Sequence, residues 1–268
     1  MKKNIFITGS TDGIGKLTAE KLANEGHIIY IHGRNSTKVL NTVEELKQTT
    51  NNKNIFGYTA DFSALNDVID LSKKLLKEID HIDVLINNAG VFKSPVQKND
   101  TGLDVRFAVN YFAPYVFTQQ LIPLLKKSSY PRVINLSSAA QSSVDLNALE
   151  GKVDLTAQQV YAQSKLALTM WSFAFAKANK EIITIAVNPG SLLNTKMVKE
   201  AYGNHWSSAN KGASILYELA TSEEFKNKSG SYFDNDSGNF ANAHPDAYES
   251  VKIESLLSTT EKILDQII

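Results

Sequence analysis

Residues 8–15 read Thr8-Gly9-Ser10-Thr11-Asp12-Gly13-Ile14-Gly15 and place three glycines between a short apolar run and an amphipathic segment. Glycine lets the backbone turn sharply and approach a ligand, and the first turn of a helix presents N–H groups to anions. A turn of this kind between a strand and a helix is typical of sheets that bind a pyrophosphate. A plain tight turn is the alternative, but the position directly after the first strand favours the binding turn.

Short apolar runs alternate with helical segments along the rest of the chain. Strands are predicted over residues 4–8, 27–32, 55–59, 82–87, 132–136, 182–187 and 231–233. They are apolar at successive positions, as in strands that are covered on both faces. The alternation predicts an α/β fold, a single-domain Rossmann-type doubly wound parallel sheet of about seven strands with helices on both faces. The domain spans residues 1–268, and loops at about 139–157 and 191–212 are expected to contact the substrate.

Several helix boundaries can be predicted from local signals. Ser36 and Ser63 are expected to cap the second and third helices. A long helix over about 103–127 is expected to kink at Pro114. The segment from about residue 247 is amphipathic, and packing on its own domain is favoured over a membrane or partner surface.

Composition excludes several classes of function. Lys and Arg number 28, as do Asp and Glu, so the formal charge is zero and no broad footprint for nucleic acid or anionic membrane is expected. The chain has no cysteine, which excludes disulfides, thiolate nucleophiles and cysteine metal sites. Neither a metal motif such as HExxH nor a long apolar run is present, so neither a metal nor a membrane span is expected. The N-terminal apolar run is too short for a signal peptide, and a cytoplasmic location is expected.

Tyr161 and Lys165 lie four residues apart in a predicted helix over 157–179, and therefore on one face of it. A phenol has an ordinary pKa of about 10, and a neighbouring ammonium lowers it by favouring the phenolate. A tuned phenol can exchange a proton with a carbonyl or an alcohol. A half-buried ring beside a solvated amine would show the same spacing, so the pair gains weight only together with the glycine turn. Together they suggest hydride chemistry.

The second predicted strand ends in His32-Gly33-Arg34-Asn35, without the acidic residue that NAD-binding sheets usually place there. Arg34 can pair with a 2′-phosphate. NADP is therefore favoured over NAD. A surface arginine in a turn is the alternative.

These motifs resemble the short-chain dehydrogenase/reductase family over nearly the whole chain. The matching elements are the TGxxxGIG turn at residues 8–15, Asn87-Asn88-Ala89-Gly90 as NNAG, Asn110 in the long fourth helix, Ser138 after the fifth strand, Tyr161 and Lys165 as YxxxK, and Asn188-Pro189-Gly190 as the turn beside the nicotinamide. Ser137 competes for the serine position, and counting from the strand pattern favours Ser138.

The resemblance implies an oxidoreductase that transfers a hydride between NADP(H) and a small carbonyl or alcohol. It makes Tyr161 the general acid in reduction and the base in oxidation. Lys165 would lower the pKa of Tyr161 and bind the nicotinamide ribose. Ser138 would hold the substrate oxygen, and Asn110 a water in a proton path. A non-catalytic dinucleotide sensor and an epimerase or dehydratase of the extended relatives are the rival functions.

The resemblance also implies a set of cofactor-binding residues. Asp61 would contact the adenine amino group, although it could instead cap a helix, and Asp12 could be only a turn or cap residue. Thr195 lies one place later than the family's usual threonine, so its contact with the nicotinamide is less certain. The full set is Gly9, Ser10, Asp12, Gly13, Ile14, Gly15, Arg34, Asn35, Asp61, Phe62, Asn88, Ala89, Gly90, Tyr161, Lys165, Pro189, Gly190, Leu192 and Thr195.

The stretch from about 144 to 156 is longer than in the family's ketoacyl reductases and resembles the retinol dehydrogenases and their bacterial relatives. It can cover the site or obstruct contacts between subunits, and a homo-oligomer is compatible with the sequence. Mostly apolar residues in the two substrate loops predict a hydrophobic substrate, and they are Val144, Leu146, Leu192, Leu193, Met197, Tyr202 and Trp206.

Overall fold

The computed structural model describes residues 2–203 and 207–268. Within those ranges the strands are β1 (Asn4–Ile7), β2 (Ile28–Gly33), β3 (Ile55–Thr59), β4 (Val84–Asn87), β5 (Arg132–Leu136), β6 (Ile183–Asn188), β7 (Ser231–Asp234) and β8 (Asn239–Ala241). They form one sheet in the order β3-β2-β1-β4-β5-β6-β7-β8. Only the pairing of β7 with β8 is antiparallel. The predicted α/β fold with a parallel sheet is confirmed.

The sheet has eight strands in the described chain rather than about seven. β8 is only three residues long and pairs back onto β7 through a turn, with Phe240 opposite Phe233. Gly238 ends this turn with φ +72°, a conformation that favours glycine. The turn-forming residues at 235–238 are the signal that sequence analysis overlooked.

The helices are α1 (Gly13–Asn24), α2 (Ser36–Thr50), α3 (Leu65–Glu78), α4 (Val105–Phe107), α5 (Ala113–Leu125), α6 (Leu146–Leu149), α7 (Ala157–Ala178), α8 (Lys196–Tyr202), α9 (Ala209–Thr221) and α10 (Ser250–Ile267). Of these helices, α6, α8 and α9 are not among those that the sequence predicts. All three have polar N-caps, at Asp145, Thr195 and Ser208 respectively.

Two predicted helix caps are wrong. Asn35, rather than Ser36, caps α2, because its Oδ1 accepts a hydrogen bond from the backbone N–H of Lys38 at 2.9 Å. α3 begins at Leu65 after Ala64, which makes no side-chain cap. The hydroxyl of Ser63 instead donates to Asp61 Oδ1 at 2.8 Å.

At the place of the kink predicted for Pro114, the structure has a π-helix just before that residue. The π-helix spans Ala108–Phe112 and joins α4 to α5. Pro114 has no N–H and cannot donate to the carbonyl of Asn110, four residues earlier, so a regular α-helix cannot continue unchanged through this segment.

Helices cover both faces of the sheet, as predicted. Along β1, Phe6 points into one hydrophobic cluster while Ile5 and Ile7 point into the other, following the two-residue period of a strand. The cluster around Phe6 takes residues from α3, α5, α7 and α10, and the cluster around Ile5 takes residues from α1, α2 and α9. No helix in the described parts of the chain is long and apolar enough to cross a membrane.

The C-terminal helix α10 packs on its own domain, which confirms that prediction. Leu256 and Ile263 are buried in the same cluster as Trp171 of α7. The hydroxyls of Tyr111 and Thr260 share a buried hydrogen bond of 2.7 Å, and Thr260 also donates to the carbonyl of Leu256. This bond joins α10 to the π-helix segment.

We expect Thr260→Val to lower the free energy of unfolding by about 1–3 kcal/mol, because the buried Tyr111 hydroxyl would lose its partner. The double variant Tyr111→Phe/Thr260→Val should recover most of that loss, since neither polar group then remains. Urea unfolding of the single and double variants measures this. A double variant as unstable as the sum of the two single ones would contradict the role given to this bond.

Candidate active site

The carboxyl ends of the parallel strands lie along one edge of the sheet, and the predicted site residues follow them. Gly9 follows β1, Asn88 follows β4, Ser138 follows β5 and Pro189 follows β6. The strand order reverses between β1 and β4, because β2 and β3 lie on one side of β1 and all later strands on the other. Ligands of open α/β sheets bind in the crevice at such a point.

The turn from β1 to α1 requires its glycines. Gly9 and Gly13 have φ of +62° and +56°, in the left-handed region. A Cβ at Gly9 would lie 2.7 Å from the Cα of Ala89, and a Cβ at Gly15 would lie 2.4 Å from Nδ2 of Asn88. Side chains at these two positions would push the ends of β1 and β4 apart.

Hydrogen bonds lock the glycine turn to the end of β4. Thr8 Oγ1 accepts from the backbone N–H groups of Asn88 and Ala89 at 3.0 and 2.9 Å. In return, Asn88 Nδ2 donates to the carbonyls of Thr8 and Gly9 at 2.7 and 2.9 Å. The side chain of Asn88 therefore holds the turn in place.

His32 supports the same turn from β2, and sequence analysis missed it. Its Nδ1 accepts from the Gly9 N–H at 3.1 Å, so Nε2 carries the proton and donates to the Ala60 carbonyl at 3.2 Å. Burial lowers the pKa of His32 to about 4, so the ring is neutral near pH 7. The only sequence signal is a histidine within an apolar strand.

Three predicted cofactor residues use their side chains within the protein. Ser10 is buried, and its hydroxyl donates to the carbonyl of Ile7 at 2.7 Å. Asp12 caps α1 by accepting from the Gly13 N–H at 2.7 Å. Phe62 is buried against the ring of His32, with 4.2 Å between ring centroids. The buried side chains of Ser10 and Phe62 leave only backbone atoms for a ligand.

Arg34 and Asp61 lie at the ends of β2 and β3, away from the catalytic candidates in the strand order. The side chain of Arg34 is exposed. Asp61 Oδ1 accepts from the backbone N–H and the hydroxyl of Ser63 at 2.9 and 2.8 Å, which fixes the turn that follows β3.

Tyr161 and Lys165 lie on α7, which begins with a capping box formed by Thr156 and Gln159. Lys165 Nζ donates to the carbonyl of Leu136 at 2.7 Å and lies 5.7 Å from the centroid of the Tyr161 ring. Burial lowers the pKa of Lys165 to about 8. The ring of Phe92 packs edge-on against Tyr161, with 4.9 Å between centroids.

Asn110 lies in the π-helix, beside Lys165. Its Nδ2 donates to the carbonyl of Val91 and to Ser164 Oγ, both at 3.0 Å, and its Oδ1 accepts from the Val91 N–H at 2.8 Å. A Cβ at Gly90 would lie 3.4 Å from Asn110 Oδ1 and 3.6 Å from Lys165 Nζ. The structure therefore brings Gly90, Asn110 and Lys165 together.

The two serines after β5 have different environments. Ser137 is buried, and its hydroxyl bonds to the Lys165 carbonyl at 3.1 Å and to Thr169 Oγ1 at 2.7 Å. Ser138 is half-buried, and its Oγ accepts from the Ala140 N–H at 3.1 Å. Accepting this bond leaves the hydroxyl hydrogen of Ser138 to donate to a substrate, which favours Ser138 over Ser137.

The loop after β6 closes toward the glycine turn. Thr195 caps α8 by accepting from the Val198 N–H, and its methyl carbon lies 3.7 Å from the place of a Cβ on Gly13. Leu193 is buried where α9 passes close by, and a Cβ on Gly212 would lie 2.8 Å from its Cδ1. Leu193 is therefore a packing residue.

The other predicted substrate residues fall into two groups. Val144 and Leu146 are half-buried and pack against the cluster around Phe6, and Met197 is also half-buried. The side chain of Tyr202 and the whole of Trp206 lie outside the described residues. Among the residues that are described, no group of three or more His, Asp or Glu side chains could hold a metal ion.

A parallel sheet with a glycine turn at its switch point and a Tyr–Lys pair on a neighbouring helix defines a dinucleotide-binding oxidoreductase fold. The sequence model of the short chain dehydrogenase family matches residues 3–205. The chain therefore belongs to the short-chain dehydrogenase/reductase family, as its motifs predicted, and is retinol-dehydrogenase-like.

Similar proteins include retinol dehydrogenase 12 of Mus musculus, 30% identical over 244 residues that cover 86% of this chain and 77% of that protein. A short chain dehydrogenase from Escherichia coli CFT073, solved in complex with NADPH, has a TM-score of 0.72 and 22% identity, covering 87% of this chain and 96% of that one. One from Shigella flexneri 2a str. 301, solved with NADP, has a TM-score of 0.70 and 23% identity, covering 87% and 97%.

We expect Lys165 to make a contribution to stability without cofactor that rises with pH between about 8 and 10.5, because in that window the unfolded Lys165 binds a proton that the folded one does not. A shift from 10.5 to about 8 corresponds to roughly 3 kcal/mol of unfolding free energy. Lys165→Met should remove this rise. The increase in unfolding free energy of Lys165→Met over the parent protein should be largest near pH 7.

Urea unfolding at pH 7, 8.5 and 10 measures this difference. Lys177→Met is the matched control, because Lys177 is an exposed lysine on the same helix. A stability difference between Lys165→Met and the parent that does not change with pH would contradict the lowered pKa.

Proposed function

We propose that this oxidoreductase transfers a hydride between NADP(H) and the carbonyl or alcohol group of a small hydrophobic substrate. The observation that carries the proposal is the buried Lys165 ammonium, 5.7 Å from the Tyr161 ring, beside Gly90 and Asn110. The half-buried apolar residues Val144, Leu146 and Met197 support a hydrophobic substrate. So does the similarity to a dehydrogenase named for retinol, an apolar alcohol.

The residues present fit a dinucleotide. Gly13 lies in the first turn of α1, where a Cβ would be in contact with Thr195 at 3.7 Å, and without a side chain at this position the N–H groups of the turn could hold a pyrophosphate. Asp61 and the backbone at Ala89 and Gly90 would hold the adenosine half. When bound, the cofactor supplies or takes the hydride.

NADP is favoured over NAD by the exposed Arg34 at the end of β2. No carboxylate follows β2 before the start of α2 to repel a 2′-phosphate. The two structural neighbours solved with NADPH and NADP support the same choice.

Tyr161 would donate its proton to the substrate oxygen in reduction and take it back as a phenolate in oxidation. Because the pKa of Lys165 is about 8, its amine is mostly protonated near pH 7. This buried positive charge favours the phenolate and so adjusts Tyr161 to working pH. Ser138 would donate its hydroxyl to the substrate oxygen and hold it near Tyr161.

Asn110 would hold a water that passes protons through Lys165. Its side chain is committed to Val91 and Ser164, so the water would bind its backbone carbonyl. Pro114, four residues on, has no N–H with which to satisfy that carbonyl in the α-helical manner. The proline therefore suits the carbonyl of Asn110 to accepting a hydrogen bond from water.

We expect Tyr161→Phe to lower turnover by about 10²–10⁴-fold, because the variant lacks the group that transfers the proton. The affinity for NADPH should change little. NADPH oxidation with a panel of apolar aldehydes and ketones measures turnover, and NADPH fluorescence measures binding. Tyr130→Phe, an exposed tyrosine remote from the site, is the control. NADPH binding by the parent protein without turnover of any substrate would favour the dinucleotide sensor.

Arg34→Ala should weaken NADPH binding by about 10–100-fold, the effect of losing a hydrogen bond between charged groups. NADH has no 2′-phosphate, so its affinity should stay the same and serves as the control within one variant. Dissociation constants for both cofactors, measured for the parent and the variant, make the comparison. A parent protein that prefers NADH would contradict the assignment of Arg34.

A further inference from the structure

We propose that Asp236 is a positioning residue that holds the loop after β6 and, through it, the nicotinamide half of the bound dinucleotide. This inference rests on the proposed function, because it assumes the dinucleotide site. Asp236 lies in the turn between β7 and β8, outside every motif that identified the family. The loop it contacts spans residues 189–195.

The carboxylate of Asp236 accepts hydrogen bonds from Ser191 in this loop and from Asn188 just before it. Its Oδ1 accepts from the Ser191 backbone N–H at 2.8 Å. Its Oδ2 accepts from the Ser191 hydroxyl at 2.5 Å and from Asn188 Nδ2 at 2.9 Å. Lys211 Nζ lies 3.9 Å from Oδ1. The last residue of β6 and the second residue after Pro189 are therefore held by one side chain.

Neighbouring residues of the same turn hold the start of the loop. Asn235 Nδ2 donates to the carbonyl of Pro189 at 2.8 Å, and the Asn235 N–H donates to the carbonyl of Asn188 at 3.0 Å. Asp234 Oδ1 accepts from Asn188 Nδ2 at 2.8 Å. Asp236 alone among these contacts Ser191, so it sets the course of the loop beyond Gly190.

The loop needs such an anchor because one of its residues is in an unfavourable backbone conformation. Leu192 has φ +49°, in the left-handed region that a leucine side chain disfavours, while Gly190, two residues earlier, has φ +120°, which glycine adopts readily. Such conformations persist only where surrounding contacts over-determine them. The two hydrogen bonds to Ser191 lie between these two residues and supply that restraint.

The position of the loop indicates which half of the cofactor it affects. It leaves β6, whereas Arg34 and Asp61 follow β2 and β3 on the other side of β1. Its far end reaches Thr195, whose methyl carbon lies 3.7 Å from the place of a Cβ on Gly13. A shift of the loop would therefore change contacts on the nicotinamide side and leave the adenosine side as it is.

Asp236 stays ionised at neutral pH, as this role requires. Partial burial acts to raise its pKa. The hydrogen bonds from the hydroxyl and amide of Ser191 and from Asn188, together with the charge of Lys211, outweigh that effect and hold the pKa below its ordinary value. An ionised carboxylate can accept all three bonds at once, while an amide in its place cannot.

The test compares two ligands, NADPH and adenosine 2′,5′-bisphosphate, on Asp236→Ala and Asp236→Asn. We expect Asp236→Ala to weaken NADPH binding about tenfold. A change of this size corresponds to the net contribution of about one hydrogen bond. Bisphosphate binding should not change, because that ligand lacks the nicotinamide half. Asp236→Asn keeps one acceptor for Ser191 and should give a smaller loss. Fluorescence titration measures NADPH, and its displacement measures the bisphosphate.

Ser237→Ala is the matched control, because Ser237 lies in the same exposed turn and its hydroxyl donates to the carbonyl of Asp234. Ser191→Ala, alone and with Asp236→Ala, completes a double-mutant cycle, and we expect the two effects to be less than additive. Equal weakening of both ligands would overturn the inference, since it would indicate a general loss of structure. Unchanged NADPH binding in both Asp236 variants would overturn it as well. A parent protein that binds neither ligand would overturn the proposed function together with this inference.

Discussion

The hydrogen bonds between residues 8–9 and residues 88–89 hold two neighbouring strand ends together where the strand order reverses. Thr8 and Asn88 each donate to or accept from the other's backbone, so the glycine turn is fixed before any ligand arrives. Gly15 lacks a side chain because the amide of Asn88 occupies that space. His32 fixes the turn from the opposite side as a neutral ring. A binding turn ordered in this way loses little entropy when it takes up an anion.

The buried ammonium of Lys165 lowers the stability of the folded protein. It is almost fully buried, and the structure gives it a backbone carbonyl as partner rather than a carboxylate. Burial of a charge without an opposite charge is unfavourable. Functional sites often keep such groups although they lower stability. The strand and helix contacts around Leu136 and α7 must therefore supply the stability that this residue removes.

Much of the fold could be predicted because its signals are local. The apolar strands, the glycine turn and the position of Ser138 all follow from short stretches of sequence. The sequence does not decide between Ser36 and Asn35 as the cap of α2, because both residue types are good caps and they are adjacent. β8 was missed because three residues carry almost no pattern. His32 and Asp236 act on residues 23 and 45 positions away, and no periodicity predicts such contacts.

The π-helix has a consequence for which changes the chain can tolerate. A π-turn holds an additional residue compared with an α-turn, so it has the effect of an insertion within a helix. Asn110 is directed to Val91 and Ser164, while its neighbours Tyr111 and Phe112 remain fully buried. Loss of one residue between 108 and 112 would turn the π-turn into an α-turn, in which the two flanks keep nearly the same orientation while the residues within the segment point in other directions. The length of this segment therefore sets the direction of Asn110 relative to Val91 and Ser164.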